Sequence, residues 1–206
     1  EARQGRALVL LAGGGAVREV TVESTEWACA PARHEAGSPN VLGAAAIATA
    51  CETLHALDFD VIAEHEKALT AQLTDGLSAI EGVSLVRLWN DAPDAVGIVT
   101  FTVDGFEAGE IAAFLSAEHG IGVRDGRFCA HPVLARLGLS GGAVRASLGL
   151  GSSSDDVTRL VDAVNILVSN QRDWKYAKTA GAWNPVPETR PFLGAADDNA
   201  GAAECV

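Results

Sequence analysis

The sequence predicts a small α+β domain with helices packed on one face of a mainly antiparallel sheet. Residues 59–80 place Val61, Ile62, His65, Leu69, Leu73, Leu77 and Ile80 at three- and four-residue steps, which marks the inner face of a long helix. VSLVRLW (83–89) and VGIVTFTV (96–103) are apolar runs on either side of a short turn holding Pro93, the pattern of two strands. Further helices and strands follow with hairpin-like connections. That mixture suits one sheet covered on one side by helices.

Taken in order, ALVLL (7–11) reads as a strand, and Gly13-Gly14-Gly15 as a loop. No Lys-Ser or Lys-Thr follows the glycines, so they are not a P-loop. REVTVES alternates in polarity. RHEAGSPN (33–40) is turn-rich and runs into a helix over 41–57. Ser38 or Asn40 can cap that helix, and free amides at its start would also suit an anion such as phosphate. The stretch Val41 to Ala50 is Ala-rich and reads as a buried helix. Lys67, Glu64 and Glu66 fall on the wet side of the next helix, which Gly82 ends.

After the two strands, Asp104-Gly105 turns into a helix over 107–118 that stops at Gly120. A brief strand at 121–124, a loop around Cys129, a short helix at 132–137 and a strand at 143–150 follow. Ser152, Ser153 and Ser154 precede Asp155 and Asp156, a good helix start with acids in the first turn, and the last helix runs to about Gln171. Residues 172–206 are rich in Ala, Gly and Pro and predict an irregular tail, with disorder from Asp197 onward.

With 206 residues, 48% of them hydrophobic and 20% charged, the chain is an ordinary globular one. A net charge of −12 argues against a nucleic-acid partner, whose phosphates it would repel. No apolar run reaches the roughly 18 residues of a membrane helix, so no membrane partner is expected. Cys29, Cys51, Cys129 and Cys205 lie far apart, which predicts neither a disulfide framework nor a zinc site. Cys129 and His131 lack a second ligand pair, so no metal is expected. No signal peptide is visible, and the cytoplasm is the expected compartment. The chain starts at Glu1 and contains no methionine, which suggests a processed or truncated piece.

The chemistry concentrates in residues 121–151, IGVRDGRFCAHPVLARLGLSGGAVRASLGLG, where Cys129 stands between Arg124 and Arg145. Nearby cations favour a reactive thiolate. Two guanidinium groups can also fork onto a carboxylate. Spacing alone favours a small core cysteine and two surface arginines.

Three segments in order carry a resemblance: RHEAGSPN before an Ala-rich helix, VRDGRFCAHP, and VRASLGLG leading into SSSDDVTRLVDAV. From about Gly13 to Val168 the chain resembles the C-terminal part of class V aminotransferase-fold enzymes, above all cysteine desulfurases and selenocysteine lyases. The resemblance implies the small C-terminal domain of a fold type I pyridoxal 5′-phosphate enzyme. Residues 1–40 would be a remnant of the large cofactor domain and the interdomain segment, and 41–171 the small domain. It implies that Cys129 is the nucleophile that takes sulfur as a persulfide. Arg145 would bind the carboxylate of a small amino-acid substrate, and Arg124 matches a second family arginine near the active-site loop. Ser38, with Gly37, would bind the cofactor phosphate, usually across a homodimer, and a sulfur-acceptor protein is a possible partner. Many desulfurases have two histidines before the cysteine, where this chain has Arg127 and Phe128.

The family's cofactor lysine lies upstream of the glycine run. Lys67, Lys175 and Lys178 are the lysines of this chain, and none is placed as a buried cofactor lysine. The expectation is therefore the C-terminal portion of a longer enzyme, incomplete by itself. The alternatives are a class V aminotransferase or lyase without a catalytic cysteine, and a non-catalytic dimerisation or binding module.

Overall fold

The computed structural model describes residues 13–89 and 96–190. The predicted strand at 7–11, the turn at 90–94 and the end segment from Asp197 lie outside the described residues. The chain forms two compact units, Glu1–Phe59 and Asp60–Val206. The boundary falls after the first long helix, whereas the resemblance puts it at residue 40.

In the first unit, β1 (Val17–Val20) and β2 (Thr25–Trp27) form an antiparallel hairpin. Helix α1 (Val41–Ala56) follows the turn-rich segment, and its N-cap is Asn40, whose side chain accepts from the Gly43 amide at 2.8 Å. The expectation of a buried helix is corrected. None of α1's residues is buried, and Val41, Leu42 and Ile47 are all exposed. Apolar composition allows burial only where another element covers the helix.

The second unit begins with α2 (Phe59–Ser78), which starts at the boundary. Strands β3 (Val83–Leu85), β4 (Ile98–Val103), β5 (Arg124–Gly126) and β6 (Ala143–Ser147) form one sheet in the order β3-β4-β6-β5, every pair antiparallel. Helices α3 (Ala108–His119) and α5 (Ser154–Val168) complete the core with α2. The fold class is as predicted.

Alternation along β4 puts Val99, Phe101 and Val103 into the core, where they meet Val144 and Ala146 of β6. Leu73 and Leu77 of α2, Ile111 and Phe114 of α3, and Val157 and Val164 of α5 pack against them. Close approach explains Gly76: a Cβ there would sit 2.7 Å from a Val161 methyl, so α2 and α5 cross at that point. The first turns of α2 differ from the predicted inner face, since Val61 is exposed and burial starts only at Leu69. The strand predicted at 121–124 instead pairs at 124–126. Ile121 and Val123 lead into it as partly buried residues against the core.

The predicted irregular tail is also corrected. Residues 175–186 form a hairpin of β7 (Lys175–Thr179) and β8 (Ala182–Val186) lying on α3. Its strands show little apolar alternation, so periodicity cannot reveal them. Polar contacts hold it instead. The Glu118 carboxylate accepts from the Asp173 and Trp174 amides at 2.9 and 3.2 Å and from the Tyr176 hydroxyl at 2.7 Å. Arg172 pairs with Glu110 at 2.6 Å and stacks over Phe106. Lys178 Nζ and the Trp183 indole both donate to Glu107. Among the described residues no helix is long and apolar enough to cross a membrane.

Candidate functional site

The site is built on the sheet face turned away from the core. Arg145 lies in the middle of β6, with Thr100 of β4 opposite it on one side and Arg124 of β5 opposite on the other. Directly opposed residues in antiparallel strands share a face. Their neighbours Phe101 and Val144 are fully buried, so Thr100, Arg145 and Arg124 occupy the reverse face. Gly142 makes this edge possible. Its φ is +96°, and a Cβ there would meet the backbone of Gly126 at 2.7 Å.

Two like charges directly opposite each other disfavour the pairing unless something neutralises them. Among the described residues neither Arg124 nor Arg145 forms an ion pair. The Arg145 Nε is buried without a hydrogen-bond partner. A carboxylate is the chemistry that two such guanidinium groups recognise, because their planar donor forks match its two oxygens.

The Cys129 loop leaves β5 next to this pair. Phe128 and Cys129 both have left-handed backbones, with φ of +53° and +57°. Such conformations are uncommon for residues other than glycine and cluster at functional positions. Arg127 Nε donates to the Ser140 carbonyl at 2.9 Å, and the Ala130 amide closes a turn onto the Arg127 carbonyl at 2.8 Å. Cys129 is exposed at the tip, a free thiol open to attack or to attack by it. Phe128 folds back so that the Arg145 guanidinium lies 5.7 Å from its ring centroid. Helix α4 (His131–Arg136) ends the loop, with His131 exposed at its first position. An apolar groove of about 500 Å³ runs from Phe128 past Leu134 and Ile98 to Trp89.

Gly37 and Ser38 belong to the first unit and are exposed. Asn40 takes the capping role at α1, and the Ser38 hydroxyl makes no hydrogen bond among the described residues. The glycine run is more than a plain loop. The Gly15 amide donates to the Ala36 carbonyl at 3.2 Å, and a Cβ on Gly15 would lie 2.6 Å from the Glu35 carbonyl oxygen. A Cβ on Gly13 would overlap the Ala36 carbonyl oxygen. These glycines let two backbones touch and fix the segment that ends in Gly37 and Ser38.

Sequence spacing brings out Cys129, Arg124 and Arg145, and the fold joins them at one sheet edge and its loop. It misses the Phe128–Arg145 contact, Thr100 and the glycine brace. Only the departure from the usual histidine pair signals Phe128. The three lysines fit no cofactor anchor: Lys67 and Lys175 are exposed, and Lys178 is bonded to Glu107.

A small antiparallel sheet with helices packed on one face is the fold found in pyridoxal-phosphate enzymes of fold type I. The chain belongs to the class V aminotransferase family: the family model "Aminotransferase class-V" matches residues 2–160. Members of this family are pyridoxal 5′-phosphate dependent. A probable cysteine desulfurase of Xylella fastidiosa is 33% identical over 154 residues, covering 75% of this chain and 36% of the relative. A probable cysteine desulfurase of Pseudomonas aeruginosa is 39% identical over 153 residues, covering 74% and 36%. Among solved structures, the apo cysteine desulfurase of Thermococcus onnurineus superposes with a TM-score of 0.68 at 32% identity, over 78% of this chain and 39% of that one. The cysteine desulfurase CsdA of Escherichia coli gives 0.67 at 30%, over 80% and 39%. The chain thus spans about 36% of the length of these curated relatives. The hairpin at 175–186 lies beyond the matched family region.

Proposed function

We propose that this chain supplies the substrate-carboxylate and sulfur-acceptor side of a cysteine desulfurase-like enzyme. The observation that carries it is the unpaired arginine couple, Arg124 and Arg145, beside an exposed cysteine on a left-handed loop. Arg145 forks onto the carboxylate of a small amino acid, with Arg124 adding charge from the neighbouring strand. This fixes the substrate so that its sulfur faces Cys129.

The Cys129 thiolate then attacks that sulfur. The new S–S bond forms as the substrate carbon–sulfur bond breaks, and the carbon takes up a proton, so cysteine leaves as alanine and Cys129 carries the extra sulfur. Pyridoxal phosphate, when bound, supplies the electron sink that holds the electron pair released on carbon. Ser38 and the backbone at Gly37 suit its phosphate, since the Ser38 hydroxyl is not used by the helix cap. The lysine that carries the cofactor comes from residues outside this chain, because Lys67, Lys175 and Lys178 do not fit that role.

Residues 41–171 would act as the small domain, with 60–171 its compact sheet-bearing part. Helix α1, exposed along its apolar length, suits a homodimer or an adjoining domain as its cover. The free cysteines Cys29, Cys51 and Cys129 suit a reducing cytoplasm, and a sulfur-acceptor protein would then unload Cys129. Cys129→Ala in the intact, cofactor-loaded protein tests this role. Loss of sulfide release from cysteine supports it. Undiminished release favours a class V lyase or aminotransferase in which the cysteine takes no part.

A further inference from the structure

We propose that Phe128 is a positioning residue for Arg145, setting the affinity of the site for an amino-acid carboxylate; this rests on the substrate role given to Arg145 above. Two facts about Arg145 pose the problem. Its Nε is buried without a partner. Its two terminal nitrogens make no hydrogen bond to any described residue, so no protein acceptor fixes the plane of the guanidinium. A flexible cation facing another cation across the sheet would swing outward into water.

Phe128 supplies the missing constraint. Its ring lies 5.7 Å from the Arg145 guanidinium carbon, within range for attraction between a cation and the negative face of an aromatic ring. The contact needs no donor or acceptor, so it leaves the terminal nitrogens free for a ligand.

The backbone is arranged to deliver this ring. Phe128 stands at φ +53°, a conformation in which a bulky side chain is an outlier unless its surroundings fix it. Those surroundings are the Arg127 side chain tied to the Ser140 carbonyl before it, and the turn from Ala130 to Arg127 around it. The same turn leaves Cys129, at φ +57°, on the outside. One strained turn therefore points the ring inward to the arginine and carries the thiol on its rim. Phe128 does not touch the reacting atoms in this scheme; it acts through Arg145.

The test uses the intact, cofactor-loaded protein and its Phe128→Leu, Phe128→Trp and Arg145→Ala variants. L-alanine, which has the carboxylate and no sulfur, is titrated by calorimetry, and KM and kcat are measured with L-cysteine. Leu keeps the apolar volume but removes the ring face; Trp restores a face. The expected result for Phe128→Leu is a Kd for L-alanine and a KM raised about tenfold, within the range of cation–π energies, with kcat within about twofold. Phe128→Trp should return both to within about twofold of the parent. Unchanged L-alanine affinity in Phe128→Leu, with Arg145→Ala clearly weakened, overturns the proposal and spares the role of Arg145. Unchanged affinity in Arg145→Ala removes the carboxylate role itself and the proposal with it. A fall in kcat at constant KM in Phe128→Leu also overturns it, since that marks Phe128 as a loop-shaping residue alone.

Discussion

Arg145 of β6 lies directly opposite Arg124 of β5, on the sheet face away from the core, and neither has an acidic partner among the described residues. Natural sheets avoid like charges in this relation because each destabilises the other. Under the proposed function, the register places both side chains where a substrate carboxylate would bridge them. Replacing Arg145 by Ala should therefore raise KM for the amino-acid substrate by roughly ten- to a hundredfold, the loss of a charge-assisted hydrogen bond. Arg145→Lys should recover little of it, since one ammonium cannot make a bidentate fork. Steady-state kinetics on the intact protein check both. Arg124→Ala should instead increase the stability of the unliganded chain slightly, by relieving the repulsion, which thermal melting reads.

The glycine brace gives a second prediction. Gly15→Ala puts a methyl group 2.6 Å from the Glu35 carbonyl oxygen, so the 35–37 backbone must move and take Ser38 with it. Gly14→Ala meets nothing within 4 Å and serves as the control. Cofactor titration of the intact protein should show pyridoxal-phosphate affinity falling roughly tenfold for Gly15→Ala, about one lost hydrogen bond to a charged group. Gly14→Ala should be unchanged.

Much of this is legible in the sequence, for reasons that particular residues make plain. Helix α5 reads well because its Ser-rich start and first-turn acids are chemically explicit. The structure finds a capping box in which Ser153 Oγ accepts from the Asp156 amide and the Asp156 carboxylate accepts from the Ser153 amide. Cys129, Arg124 and Arg145 stand out by type. Their mutual placement does not, because only the β5–β6 register sets it. Helix α1 reads as buried because composition records hydrophobicity and not the presence of a neighbour. The hairpin at 175–186 escapes because its anchors are carboxylates on α3 and at its N-cap, where polar residues otherwise look like a solvated face.

That hairpin hangs on Glu118. Glu118→Ala removes the acceptor for two backbone amides and the Tyr176 hydroxyl. The variant should lose about 1–3 kcal/mol of stability, the cost of leaving such donors unpaired. Limited proteolysis should cut after residue 172 well before it attacks the core, while the parent resists.

Acid should loosen the start of α5 through Asp156. Hydrogen bonds from the Ser153 side chain and backbone hold its carboxyl below the usual aspartate range. A folded pKa that is depressed adds stability above the unfolded pKa, and this is lost as pH falls through the folded value. Asp156→Asn should thus melt at a lower temperature than the parent at neutral pH. The two melting curves should converge below the ordinary aspartate pKa. A constant gap down to strong acid would rule this cause out.

The persulfide role of Cys129 is read most directly from the mass of the tryptic peptide that bears it. The intact, cofactor-loaded protein is incubated with L-cysteine and alkylated without reductant. The expected result is one added sulfur atom on Cys129, absent from Cys29 and Cys51, and its loss together with sulfide production in Cys129→Ala. An unmodified Cys129 in a protein that still turns cysteine over, with Cys129→Ala equally active, would contradict it.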